Sequence, residues 1–202
     1  NPQTTIYDMG TQVMAANSLG GNAFVCVRVT DGTEDKATVD VVDTTAPTPV
    51  NGLVLTALYS GTLGNTIQVV VEQGTNYTVG TPVYKISILF PSGGVNNLPE
   101  VYDNIGGTGA TFWQNAANAI NLGQGALSPP SQLVTAVIGT ATAAPALQSY
   151  VLAGGTDGNS GVIDADLVGS NISPRTGMYS ASGSTFDLMV LSNVTTASTY
   201  QE

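Results

Sequence analysis

The stretch Leu53-Val54-Leu55-Thr56-Ala57-Leu58-Tyr59, then Ser60-Gly61-Thr62-Leu63-Gly64-Asn65, then Thr66-Ile67-Gln68-Val69-Val70-Val71 decides the class of fold. Aliphatic and β-branched residues fill both ends, and the middle is small, polar and glycine-rich. That composition reads as strand, turn, strand. Downstream, Val83-Tyr84-Lys85-Ile86-Ser87-Ile88-Leu89-Phe90 alternates polar and apolar residues with the period of two that puts one face of a strand into a core. It is expected to pair antiparallel with the first unit in a meander, closed by Pro91 to Gly94.

Upstream, Met9 to Ala16 has the apolar spacing of a short helix, broken by Gly20-Gly21. Ala23 to Val29 reads as a buried strand, Asp31-Gly32-Thr33 as a turn, and Ala37 to Val42 as a half-exposed strand. Thr44 to Pro49, with two prolines, reads as an extended connector.

Further along, Phe112, Trp113, Ala116, Ala117 and Ile120 recur at helical spacing over Thr111 to Ile120. Thr108 or Thr111 is the expected cap at the start and Gly123-Gln124-Gly125 the stop. Ser131 to Gly139 and Gln148 to Ala153 read as strands, and Asp164 to Leu167 and Arg175 to Ala181 as short helical turns. Phe186 to Leu191 reads as a last core strand. Strands dominate, so the expected class is α+β: mainly antiparallel strands in a meander or sandwich, flanked by a few short helices. Residues 1–50 are expected to form an N-terminal strand region and connector, and residues 51–202 the main body.

Charge is sparse and one-sided: 14 acids face four bases, Arg28, Lys36, Lys85 and Arg175, for a net charge of −10. Nucleic-acid binding needs a basic stripe, and an anionic membrane surface repels the same excess of carboxylates. Neither partner is expected. With no histidine, the commonest general base and metal ligand is missing, and so is every Ser-His or Cys-His pair. Cys26 lies in the apolar run Phe24-Val25-Cys26-Val27 and is expected to be a small buried hydrophobe rather than a reactive thiol.

Three weaker signals carry an ordinary reading beside the chemical one. Asp157, Asp164 and Asp166 could offer oxygens to calcium, but the spacing lacks a closing glutamate; a turn, an N-cap and a first-turn acid account for them. Gly106-Gly107-Thr108-Gly109 could cradle a phosphate, but without the lysine of a phosphate loop it is better read as the lead-in to the helix. The Asn-x-Ser/Thr triplets at Asn76, Asn171 and Asn193 are expected by chance in a chain this rich in Asn and Thr. No catalytic, cofactor-binding or metal-binding residue is therefore expected.

Four blocks, in order, resemble contractile phage tail sheath proteins. They are Gly20-Gly21 followed by Ala23 to Arg28-Val29; the Ala57…Gly61…Gly64-Asn65 hairpin; Glu100-Val101-Tyr102-Asp103-Asn104-Ile105; and Leu152-Ala153-Gly154-Gly155-Thr156-Asp157-Gly158 followed by Asp164, Thr176-Gly177 and Phe186 to Leu191. The resemblance covers residues 20–192. It departs where Thr30 to Pro49 is short and where the family's C-terminal assembly domain would follow Glu202. It implies a structural subunit stacked helically around a tail tube, touching neighbouring sheath subunits and the tube, in a virion tail assembled in the bacterial cytoplasm. The chain opens on Asn1 rather than Met, and on this reading it is a fragment, expected to stay monomeric. A secreted or virion-surface β-rich adhesin or structural module is the rival structural reading. The enzymatic rival is an acidic hydrolase using Asp157 and Asp164.

Overall fold

The computed structural model describes residues 9–91 and 98–185. The chain divides into two compact units, one of Asn1–Thr33 with Gly158–Glu202 and one of Glu34–Asp157. The class is α+β, with two antiparallel sheets and a few short helices.

The unit over Glu34–Asp157 holds seven strands: β1 (Thr38–Val42), β2 (Asn51–Ala57), β3 (Gln68–Gln73), β4 (Tyr84–Leu89), β5 (Glu100–Ile105), β6 (Val134–Ile138) and β7 (Ser149–Val151). One sheet has the order β1-β2-β6 and the other β5-β4-β3-β7. β4 pairs antiparallel with β3 as expected, with Val69 opposite Ile88 and Val71 opposite Ile86, but the meander it belongs to is β3-β4-β5 and not β2-β3-β4. Those four side chains are all buried while their neighbours along the strands are not, as a period of two requires. Each fully buried Val, Ile or Leu contributes roughly 1.5–3 kcal/mol of transfer free energy.

Two of the expected connections are corrected. β2 and β3 are not a hairpin: β2 pairs with β1 and β6, whereas β3 lies in the other sheet. Thr62–Thr66 forms a 3-10 turn that carries the chain from one sheet to the other. Local composition shows a turn but not which partner each strand finds. Thr44 to Pro49 is likewise no extended connector but part of a closed loop between β1 and β2, where the Asp43 N–H donates to the Val50 carbonyl at 2.9 Å. Glu100–Ile105, which carries too few β-branched residues to read as a strand, is β5 because the edge of β4 is there to pair with it.

The helix begins as expected in kind but not in cap. α2 runs Ala110–Leu122 from Gly109, with no side-chain cap bond from Thr108 or Thr111. Gly123 ends it, its N–H donating to the Ala119 carbonyl at 2.9 Å. Phe112 and Trp113 enter the core, where Phe112 meets Tyr84 edge-on at 5.0 Å between ring centroids. The indole of Trp113 lies directly over Gly52, where any Cβ would overlap the ring. Its Nε1–H donates to the Ala143 carbonyl at 3.2 Å, so the buried ring keeps a polar partner.

The other unit contains α1 (Met9–Ser18), α3 (Asp164–Val168) and a 3-10 turn over Gly177–Ala181. Val162, Leu167 and Ala181 are buried there. Ala23 to Val29 is a correction: it forms no strand, and Phe24, Val25 and Cys26 are exposed. An apolar β-branched run forms a strand only when an edge accepts it, and none among the described residues does. The expected strand Phe186 to Leu191 lies outside the described residues, as do Asn193 and most of the segment after Pro91.

Candidate functional site: a knot of glycine loops and carboxylates

The two most glycine-rich blocks of the sequence meet in space. Asn65, in the 3-10 turn between β2 and β3, faces the peptide group of Gly155 after β7. Its Oδ1 accepts from the Gly155 N–H at 2.7 Å, and its Nδ2 donates to the Gly155 carbonyl at 2.9 Å. Beside it, Asp157 accepts from the Thr62 N–H at 2.9 Å and from the Thr62 hydroxyl at 2.6 Å. A third segment joins them: the Gly61 N–H donates to the Asp35 carbonyl, and Asp35 and Thr156 exchange both backbone hydrogen bonds. A Cβ on Gly155 would run into the Gly61 carbonyl, so only glycine lets the loops close to this distance.

The Asp–Thr couple recurs. Asp43, 1% exposed, accepts from the Thr45 N–H and hydroxyl, from the Val50 N–H at 2.8 Å and from the Ala143 N–H at 3.4 Å. Asp31 accepts from the Thr33 N–H and hydroxyl and from the Gly161 N–H at 2.7 Å. Asp103 accepts from the Thr75 N–H at 3.0 Å, the Thr75 hydroxyl and the Asn104 N–H. In each case one carboxylate holds a loop through backbone N–H groups, part-buried ones at Asp43 and exposed ones at Asp31 and Asp103.

These contacts set the electrostatics. Burial pushes the Asp43 carboxyl up, but the donors from Val50, Thr45 and Ala143 outweigh it and leave the group below the ordinary range. Asp103 behaves alike: burial raises it, and the Thr75 and Asn104 donors with the Lys85 charge bring it below. The Thr33 hydroxyl, then the Thr33 and Gly161 N–H groups, lower Asp31. Burial, helped by the Glu100 charge, pushes the Tyr102 phenol up to about 12.

The three aspartates considered for calcium have separate employments. Asp157 is bound to Thr62, and Asp166 accepts from the Ile163 N–H at 2.9 Å at the start of α3. Asp164 is in the first turn of α3, whose N-cap is Ile163 rather than the expected aspartate. Among the described residues, no three His, Cys, Asp or Glu side chains gather where a metal ion could sit. Gly106 accepts from the Asn115 Nδ2 at 2.9 Å as the chain leads into α2. Asn76 donates its N–H to the Asn104 Oδ1, and Asn171 accepts from the Arg175 Nε. A depression of about 530 Å³ over Val70, Glu72, Lys85, Leu147 and Ser149 carries the Glu72–Lys85 ion pair at 3.0 Å. No helix among the described residues is long and apolar enough to cross a membrane.

Sequence reasoning missed Asp43, Asp103 and the structural use of Asn65. A signal was present for the first: Asp31-Gly32-Thr33 and Asp43-Thr44-Thr45 both read Asp-x-Thr, the spacing at which a carboxylate folds back on the N–H two residues on.

No protein-family model matches the chain, and no curated protein matches it. Among solved structures, the sheath tail protein Lin1278 from Listeria innocua is similar at 20% identity and a TM-score of 0.40, over 75% of this chain and 25% of that one. The chain thus spans about a quarter of the length of that protein.

Proposed function

We propose that the chain is part of a structural subunit of a contractile phage tail sheath, assembling helically around the tail tube and changing lattice on contraction. The observation that carries this reading is the knot itself. The Gly61–Asn65 and Leu152–Gly158 blocks, the most specific parts of the sequence resemblance, lock to each other through Asn65–Gly155 and Thr62–Asp157. Such residues stiffen a body rather than open a cleft, and a subunit that moves as a rigid block between two lattices needs stiffness. On this reading the chain has no catalytic residue and needs no cofactor. Its partners in the whole protein are neighbouring sheath subunits and the tube, its place is the virion tail, and alone it is a monomer.

Gold-labelled antibody raised against the chain, applied to particles and viewed by negative-stain electron microscopy, tests this. Label distributed along the tail shaft is expected. Label confined to the fibre tips or the capsid, or found only off the particle, overturns it.

A further inference from the structure

Each sheet of the Glu34–Asp157 unit has two end strands, β1 and β6 in one and β5 and β7 in the other. Thr38 of β1 bridges Ala153, just after β7, and among the described residues β6 and β5 are left with no strand on their outer side. An open strand presents a row of unpaired N–H and C=O groups and is a template for a strand of another chain. Here both rows are occupied from the same place, the last turn of α2 and the loop after it. The Asn121 Nδ2 donates to the Ala136 carbonyl at 2.7 Å, and its Oδ1 accepts from the Ala136 N–H at 2.9 Å. Three residues on, the Gln124 Oε1 accepts from the Asp103 N–H and its Nε2 donates to the Asp103 carbonyl, both at 3.0 Å. A carboxamide holds a donor and an acceptor side by side, as a peptide group does, so each side chain satisfies the strand as one residue of a paired strand would.

Two hydroxyls extend the cover. Ser128 donates to the Val101 carbonyl at 2.9 Å, two residues from Asp103 and on the same edge of β5. The Val134 N–H, two residues before Ala136 on β6, donates to the Ser131 Oγ at 3.0 Å. Residues two apart along a strand point their backbone groups to the same side, so these bonds fall on one edge each. The side chains beside the plugs are apolar and exposed, Val137 on β6 and Val101 on β5. Without the plugs each edge would offer free backbone groups next to apolar surface.

We propose that Asn121 and Gln124 are edge plugs: they keep β6 and β5 from adding an extended strand of a second copy of this chain. The inference stands on the geometry of the end of α2 and the loop after it, and not on the sheath reading. Both side chains are exposed, so truncating them opens no cavity. The test compares the whole chain with N121A, Q124A and the double variant, by light scattering on a sizing column at micromolar concentrations and by amide hydrogen exchange. The double variant should keep its far-UV spectrum and lose its monomer peak to dimers and larger species. The Ala136 and Asp103 amides should exchange roughly tenfold faster in its residual monomer, the loss of one hydrogen bond of ordinary strength. Adding V137K and V101K should restore the monomer, because edge lysines block strand addition without restoring the plugs. An unchanged mass distribution in a folded double variant overturns the proposal, and so does association that the lysines fail to suppress. If the double variant does not fold, each single variant opens one edge and gives the same readout.

Discussion

The carboxamide of Asn65 and the peptide of Gly155, ninety residues apart in the chain, form a two-bond pair of 2.7 and 2.9 Å. Asn65→Ala removes both bonds and leaves the N–H and carbonyl of the buried Gly155 without these partners. Two ordinary hydrogen bonds correspond to about 2 kcal/mol, or a fall in Tm of about 6 °C for a chain this long. Asn65→Asp keeps the acceptor for the Gly155 N–H but sets a carboxylate against its carbonyl, so it should fare no better than alanine. Thermal melts of the two variants check this, and a Tm within a degree of wild type for both would show that the pair adds nothing.

Gly52→Ala is expected to damage the core from the opposite direction. The added methyl would overlap the Trp113 indole, which is 2% exposed and held by its bond to Ala143. Overpacking costs about 1–3 kcal/mol and forces the ring off its rotamer. Trp113 is the chain's single tryptophan, so its emission reports this site alone. Wild type should emit in the blue, and the variant should shift to the red with a lower Tm.

The legible parts of the fold were those where local pattern and tertiary environment agree. β4 was readable because Tyr84, Ile86 and Ile88 alternate with partly exposed residues, and α2 because its apolar face has helical spacing. Ala23 to Val29 misled because strand propensity describes a fit to a pleated neighbour, and this run has none among the described residues. The partnership of β2 with β6 was hidden by the nearly eighty residues between them. In the knot the glycines were visible as turns, but which loop Asp157 would hold depends on contacts that sequence spacing does not record. Asn121 and Gln124 gave no signal at all, since an exposed carboxamide in a helix end looks like ordinary surface.

Stability should be flat through neutral pH and fall in acid. The chain has no histidine to titrate there. Asp31, Asp43 and Asp103 each have a folded-state value below the ordinary 3.8. Their contribution is therefore complete above the unfolded-state value of about 4 and is lost as pH falls through the lower folded-state values. Tm measured against pH should stay level down to about pH 5 and drop below about pH 4. Asp43→Asn should lower Tm at neutral pH and make the acid limb shallower, because the amide cannot accept from Thr45, Val50 and Ala143 together. An acid limb as steep as that of wild type would exclude Asp43 as a contributor.

Cys26 should behave as a surface thiol. The apolar neighbours Phe24 and Val25 suggested a buried strand, yet the sulfur is exposed and that run makes no ladder. Access governs thiol–disulfide exchange once a thiolate fraction exists. An aromatic disulfide reagent at mildly alkaline pH should therefore titrate one thiol per native chain without a lag, at a rate that denaturant changes little. Cys26→Ser should abolish the reaction and leave Tm unchanged, since a surface substitution away from any packed site falls within about 0.5 kcal/mol. A thiol that reacts only after denaturant is added, or a serine variant that melts several degrees lower, would place the sulfur in a core and restore the strand that the local sequence suggests.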